Sequence, residues 1–208
     1  TYKVNDGTVD SNTSTVTVTI AAVNDAPTVN DISTTIDENL TARLVGITLD
    51  GADVEGDDLT YSIVSNASNG TTSISDATLT YTANQDWNGT ETITYKANDG
   101  EFDSNISTVT VTVTAVNDAP TVLEGAISTN EDTAATLDLS TLVTDVDGDN
   151  LTYILVAEGN DGTASISDKI LTYTPNANFN GTTTLLYKVN DGTVTSGDTQ
   201  IIVTVNAV

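Results

Sequence analysis

The chain has no cysteine, no histidine and no methionine in 208 residues. Without cysteine no disulfide can staple the fold, which must rest on core burial or on bound metal. Without histidine or cysteine, neither a Ser-His-Asp nor a Cys-His catalytic arrangement can be built, and zinc and copper lose their usual ligands. Basic residues are scarce: five Lys and Arg stand against thirty Asp and Glu, for a formal net charge of −25. Nucleic-acid binding would need the opposite sign. No run of about 18 apolar residues occurs, so no transmembrane helix and no membrane contact are predicted within these residues. Aromatics number ten (seven Tyr, two Phe, one Trp), too few for an obvious carbohydrate-stacking platform. A carboxylate pair for glycoside hydrolysis is chemically conceivable, but the acids group at loop ends rather than in an identifiable cleft. No catalytic residue is predicted.

What the chain does have is a repeat. Ala22-Val23-Asn24-Asp25-Ala26-Pro27 returns as Ala115-Val116-Asn117-Asp118-Ala119-Pro120, an offset of 93 residues. Tyr2-Lys3-Val4-Asn5-Asp6-Gly7 returns as Tyr95-Lys96-Ala97-Asn98-Asp99-Gly100 and again as Tyr187-Lys188-Val189-Asn190-Asp191-Gly192. A fixed period sets the architecture before any local reading, and this period is domain-sized. Residues 23–115 and 116–208 read as two full repeats. Residues 1–22 match only the last quarter of a repeat, so they are expected to be the terminal hairpin of an upstream copy in a longer protein. The acids are spread over both repeats, with 15 in the first and 13 in the second. Such a charge costs stability through self-repulsion and calls for cations.

Alternation of apolar and polar residues dominates the pattern. Thr15-Val16-Thr17-Val18-Thr19-Ile20 and Thr108-Val109-Thr110-Val111-Thr112-Val113 place every Val or Ile on one face and every Thr on the other. A period of two built from β-branched residues predicts half-buried antiparallel strands. Repeat one divides into seven strands, A to G, over about 29–36, 42–47, 59–64, 71–75, 78–82, 90–97 and 107–114. Turn pairs Asp50-Gly51, Asn69-Gly70, Asn88-Gly89 and Asp99-Gly100 separate them. Repeat two follows the same frame. The predicted fold is all-β: tandem seven-stranded antiparallel Greek-key sandwiches of immunoglobulin type, without significant helix. Trp87 and Phe179, and Tyr81 and Tyr173, occupy equivalent places and are predicted to fill the cores.

In such a sandwich, alternate loops share an end. The BC loops hold Asp53-Val54-Glu55-Gly56-Asp57 and Asp145-Val146-Asp147-Gly148-Asp149, and the FG loops hold Asp99 and Asp191. Both are predicted to lie beside the incoming linker, Asn24-Asp25 or Asn117-Asp118. The opposite end holds Asp37-Glu38 or Glu131-Asp132, and Asp86. At the junction of the repeats, Glu38 is thus expected to meet Asn117, Asp118, Asp145, Asp147 and Asp191. Turn preference alone accounts for Asn-Gly and Asp-Gly pairs, but poorly for acids that recur in register at a joint. Hard oxygen ligands in this number suit Ca²⁺, which takes about six to eight, better than Mg²⁺, which keeps its waters.

The combination of Val-Asn-Asp-Ala-Pro, a glutamate in the AB region, Asp-x-Asp-Gly-Asp-x-Leu-Thr-Tyr, Asn-Phe-Asn-Gly-Thr and Tyr-Lys-Val-Asn-Asp-Gly resembles the cadherin-like tandem repeats of giant bacterial surface adhesins. The resemblance covers nearly the whole chain. It implies calcium at each joint, with Asn117 and Asp118 as linker ligands, Glu38 as the far-end glutamate, Asp145 and Asp147 as the BC-loop pair and Asp191 as the FG-loop ligand. In repeat one it implies Asn24, Asp25, Asp53, Glu55 and Asp99. The sequence departs from the cadherin pattern at Glu55, where Asp is usual, and at the EF loop, where an acidic pair is reduced to Asp86 or replaced by Asn178.

The expected function is a calcium-stiffened spacer in a large extracellular or cell-surface protein, supporting adhesion, with neighbouring repeats as partners. One alternative is a fibre or matrix subunit assembled homotypically by strand addition through residues 1–22, whose Val-Thr stripe needs a sheet. Another is a carbohydrate- or ligand-binding module.

Overall fold

The computed structural model describes residues 1–38 and 45–208. Two compact units emerge, Thr1–Thr114 and Ala115–Val208. In the first, the strands are β1 (Thr28–Val29), β2 (Ile32–Asp37), β3 (Val45–Thr48), β4 (Gly51–Ala52), β5 (Thr60–Ser65), β6 (Gly70–Ser75), β7 (Thr78–Ala83), β8 (Gly89–Asn98) and β9 (Ser107–Thr114). A four-stranded sheet β2-β9-β8-β5 and a three-stranded sheet β3-β7-β6 share one core, built from Ile47, Leu79, Tyr81, Ile93, Tyr95, Val109 and Val111 among others. The alternation seen in the sequence supplies that core directly. In β9 the burial alternates residue by residue, with Val109 and Val111 fully buried.

The second unit repeats the plan. Its strands are β10 (Thr121–Val122), β11 (Gly125–Asn130), β12 (Ala135–Asp138), β13 (Val143–Thr144), β14 (Thr152–Ala157), β15 (Gly162–Ser167), β16 (Ile170–Pro175), β17 (Gly181–Asn190) and β18 (Thr199–Asn206). The sheets are β11-β18-β17-β14 and β12-β16-β15. One 3₁₀ turn, Leu139–Leu142, follows β12; the Asp138 side chain caps it by accepting from the Ser140 N–H at 3.0 Å. In both units buried tyrosines deliver their hydroxyls to backbone carbonyls. Tyr81 donates to Asn69 O at 2.9 Å, Tyr95 to Asn30 O at 2.6 Å, Tyr173 to Asp161 O at 3.0 Å and Tyr187 to Leu123 O at 2.9 Å. Trp87 and Phe179 pack against their respective cores.

Local expectations change at strand A and at Gly51. Strand A is two strands: β1 pairs with β4 in a separate two-stranded sheet, and β2 then joins the four-stranded sheet, running parallel to β9. Asp31 sits at the crossover and accepts the Thr108 N–H at 2.8 Å, which starts the new pairing. β11 runs parallel to β18 in the same way. Gly51, expected in a turn, lies in β4, where a Cβ would come 2.6 Å from Tyr61 Oη. Glycine there serves close approach. Strand B, expected over 42–47, falls partly outside the described residues.

Among the described residues, the expected strand over 15–20 joins no sheet. Residues 1–14 form a hairpin with bridges Tyr2↔Ser14 and Asn5↔Asp10, supported by an ion pair between Lys3 and Asp10. Val16, Val18 and Ile20 are 64%, 78% and 89% exposed. Alternation provides a face, but only partner strands can bury it. The matching stretch, β9, has β8 on one side and β2 on the other.

Candidate metal centre

In each unit the BC loop is wound around its first aspartate. Asp53 Oδ1 accepts the backbone N–H groups of Glu55, Gly56 and Asp57 at 3.0, 2.9 and 3.1 Å. Asp145 Oδ1 accepts that of Asp149 at 3.1 Å. The wrap needs a left-handed residue, which Gly56 (φ +83°) and Gly148 (φ +75°) provide. One oxygen of each aspartate is thereby used. The other, Asp53 Oδ2 in the first unit and Asp145 Oδ2 in the second, is buried and has no hydrogen-bond partner among the described residues. A buried, unpartnered carboxylate oxygen is costly and calls for an explanation, an ion among them.

The linker residues are drawn to the same end of each unit. Asn24 Nδ2 donates to Asp99 Oδ2 at 3.0 Å, and Asn117 Nδ2 donates to Asp191 Oδ2 at 2.9 Å. The Asp25 N–H donates to Glu55 Oε2 at 3.2 Å, and the Asp118 N–H to Asp147 Oδ2 at 2.8 Å. The longer Glu55 side chain therefore reaches the same backbone group as Asp147. The FG-loop aspartates are held rigidly. Asp191 Oδ1 accepts from Thr193 and Val194 N–H, both at 2.6 Å, and Asp99 Oδ1 from Glu101 and Phe102 N–H, both at 2.7 Å. The Val194 N–H first and the Asn117 amide next hold the Asp191 carboxyl below the ordinary carboxylate range. For Asp99 the N–H groups of Phe102 and Glu101 do the same.

In the second unit, carboxylate oxygens of Asp145, Asp147 and Asp149 all lie within 4.8 Å of one another. Asp149 is the residue that the sequence reading left out. Its signal was present, as the last acid of Asp-x-Asp-Gly-Asp. The structure thus places Asn24, Asp25, Asp53, Glu55 and Asp99 together in the first unit. It places Asn117, Asp118, Asp145, Asp147 and Asp191 together in the second.

Glu38 lies at the other end of the first unit, just past β2. It is only 3% exposed. Its N–H donates to Thr114 O at 2.9 Å, at the last residue of β9, and its Oε2 accepts from Asn88 Nδ2 at 3.1 Å. Asn88, read from sequence as a turn residue, is therefore also a support for the glutamate. Glu131 repeats this placement in the second unit, donating its N–H to Asn206 O at 2.8 Å. Asp86 and Asn178 hold equivalent left-handed positions, at φ 55° and 57°.

The donor set is all oxygen, and among the described residues the two buried orphan oxygens have no hydrogen-bond donor. Residues of this kind fit a hard cation such as Ca²⁺.

Among solved structures, EC1-2 of human protocadherin-24 is similar to this chain at 16% identity, over 89% of this chain and 100% of that one, with a TM-score of 0.59. EC22-24 of mouse cadherin-23 is similar at 20% identity, over 88% and 65%, with a TM-score of 0.57. At these identities the likeness establishes the fold. An endo-fucoidan hydrolase of glycoside hydrolase family 107 aligns at 22% identity with a TM-score of 0.40, and this chain spans 29% of that enzyme's length. No curated protein matches the sequence. Residues 24–113 and 117–205 each match the bacterial Ig domain, one match for each sandwich, and the chain belongs to that family.

Proposed function

We propose that these repeats are calcium-stiffened spacers of a large extracellular or cell-surface protein, supporting adhesion. The observation that carries this reading is the orphaned oxygen of Asp53 and Asp145. It recurs at the same place in two sandwiches, each time in a loop whose next acid accepts the N–H of a linker aspartate, at the end where a linker asparagine donates to the FG-loop aspartate. Calcium would be held by Asn117, Asp118, Asp145, Asp147 and Asp191, joined by Glu38 from the preceding repeat, and by Asn24, Asp25, Asp53, Glu55 and Asp99 at the joint before it. The ion supplies positive charge where the chain concentrates carboxylates. Bound at 100 times its dissociation constant, it stabilises by about 2.7 kcal/mol. No step in this role requires catalysis.

Small-angle scattering of the whole chain, in calcium and then in excess chelator, tests the reading. A stiff particle in calcium that becomes flexible on chelation, with strand content kept, is the expected result. Asp147→Asn should weaken calcium binding and free the joint while both sandwiches stay folded. Unchanged scattering on chelation, together with no heat of calcium binding by calorimetry, would reduce the acidic loops to solvated turns.

The exposed Val16, Val18 and Ile20 favour a second reading, assembly by strand addition. Loss of concentration-dependent mass on replacing these three by Thr would support it.

A further inference from the structure

The two units carry nearly the same sheet but clothe its outer face differently. The strands of the larger sheet align at an offset of 92: β5 with β14, β8 with β17 and β9 with β18. At three outward positions the first unit has Ser62, Thr94 and Thr110, and the second has Ile154, Leu186 and Ile202. These are outward positions because their strand neighbours Leu185, Tyr187, Ile201 and Val203 are fully buried in the core. Ile154 and Ile202 are 36% and 44% exposed, and Val156 beside them is 40% exposed.

The three residues form a diagonal stripe. Ile154 pairs with Lys188, two residues from Leu186 along β17. Leu186 pairs with Gln200, two residues from Ile202 along β18. Diagonal neighbours of this kind lie about 7–8 Å apart, within reach of long side chains. Ala126 on β11 continues the stripe opposite Ile202, and Ala157 flanks it opposite Leu186. Isolated exposed apolar residues are ordinary. Two exposed residues, Ile154 and Ile202, bridged by the half-buried Leu186 and replacing hydroxyl residues on adjoining strands in register, make a contiguous surface, and such surfaces mark interaction sites.

Charge identifies the occupant. The four strands of this sheet, β11, β14, β17 and β18, contain no Asp or Glu, although this half of the chain has 13. Lys188 is the lone charged residue in the four strands. In a chain of net charge −25, two copies approaching by their loops would bring carboxylates against carboxylates. Approaching by this face, they bring apolar side chains, hydroxyls and amides together, with Lys188 the one charge on it. A symmetric two-fold contact places the stripe against itself.

We infer that the outer face of β11-β18-β17-β14 is a self-association surface, which pairs the second unit side by side with that of another copy of this chain. The face measures about 20 Å by 20 Å from strand number and length. Paired, it covers less than a standard interface of about 1,200–2,000 Å², so each contact is weak and becomes effective only where copies are held in parallel. The contact does not depend on calcium. It should strengthen as salt rises, because screening relieves the net repulsion while leaving apolar burial intact.

Sedimentation of the whole chain over a concentration series, in calcium and in chelator at moderate salt, gives the test. The wild type is expected to shift from monomer toward dimer below about 1 mM. The triple variant Ile154→Ser, Leu186→Thr, Ile202→Thr, which installs the residues of the first unit, should weaken the association at least tenfold. Unchanged strand content and melting in that variant are expected, because the first unit carries those residues on the same sheet. The reverse graft, Ser62→Ile, Thr94→Leu, Thr110→Ile, should add association. The chain has no native cysteine, so a single probe is unambiguous: Thr184→Cys, opposite Ile202, should cross-link copies, and Thr92→Cys at the matching place in the first unit should not. A wild type that stays monomeric throughout would overturn the inference. So would association that survives the triple variant, that vanishes instead on replacing Val16, Val18 and Ile20 by Thr, or equal cross-linking by the two cysteine probes.

Discussion

Replacing Asp145 by Asn should stabilise the protein in chelator and lose that advantage as calcium rises. Without the ion, Asp145 brings a carboxylate within 4.8 Å of oxygens on Asp147 and Asp149. Coulomb repulsion over that distance is about 0.9 kcal/mol per pair in bulk water and about 3.5 kcal/mol at the effective dielectric of a protein surface. The amide removes this repulsion. Its oxygen can still accept the Asp149 N–H that Oδ1 accepts now, and its NH₂ offers a donor where Oδ2 is orphaned. The second sandwich should therefore gain about 1–3 kcal/mol in chelator. For a domain this size, each kcal/mol raises Tm by about 4–8 °C. Calcium works against this gain. At 100 times its dissociation constant the ion adds about 2.7 kcal/mol to the wild type, and a tenfold loss of affinity cuts that to about 1.4 kcal/mol. Scanning calorimetry of both proteins, in chelator and across a calcium series, should give melting curves in which the variant leads at zero calcium and the wild type closes the gap as calcium rises. High salt should shrink the lead by screening. A variant less stable than wild type in chelator, or an identical calcium shift in the two proteins, would refute the reasoning.

Further expectations concern the scaffold. Glu91 in β8 is 5% exposed and accepts the Asn69 and Thr92 N–H groups at 2.7 and 3.1 Å; burial pushes its carboxyl up, but the N–H groups of Asn69, Ser68 and Thr92 win and hold it below the ordinary value. Its folded pKa being lowered, its stabilisation is complete above the ordinary glutamate range and is lost as pH falls through the lowered value. Glu91→Gln should cost about 2 kcal/mol at neutral pH, and denaturant curves of the two proteins should converge in acid. Gly162→Ala puts a Cβ 2.5 Å from Thr174 O and 2.6 Å from the Tyr173 ring, which should cost about 1–3 kcal/mol by chemical denaturation. Burial, with a smaller contribution from Tyr153, pushes the Tyr187 hydroxyl up to about 12. The resulting stabilisation is intact below the ordinary tyrosine value and fades as pH rises toward 12, so alkaline melts of wild type should fall toward those of Tyr187→Phe over that range.

The placement of strands C to G was legible in the sequence because alternation and turn residues are local. Val109 and Val111 declare a buried face, and Asn-Gly or Asp-Gly pairs mark where strands stop. Most members of each acidic group were legible too, since the repeat printed them twice, though Asp149 was left out. Partner choice was not. That β2 leaves one sheet and runs parallel to β9 depends on a strand about 77 residues away in the chain, joined through Asp31 and Thr108. Residues 15–20 make the same point in reverse: they carry the same Val-Thr code as β9 yet stay exposed, since a period of two selects a face and says nothing of what covers it.

Composition, alternation and repetition alone determined that this protein is all-β, modular, acidic, free of disulfides and without the histidine or cysteine that Ser-His-Asp and Cys-His arrangements need. Tertiary structure alone decided which oxygen of Asp53 and Asp145 is left buried without a donor, that Asn88 and the end of β9 hold Glu38, that Glu91 is a buried acceptor, and that Ile154, Leu186 and Ile202 line up on one outward face. The physical reason is the same in each case. Periodicity and turn chemistry act between residues a few positions apart, whereas burial, hydrogen-bond satisfaction and surface continuity exist only once distant strands have paired.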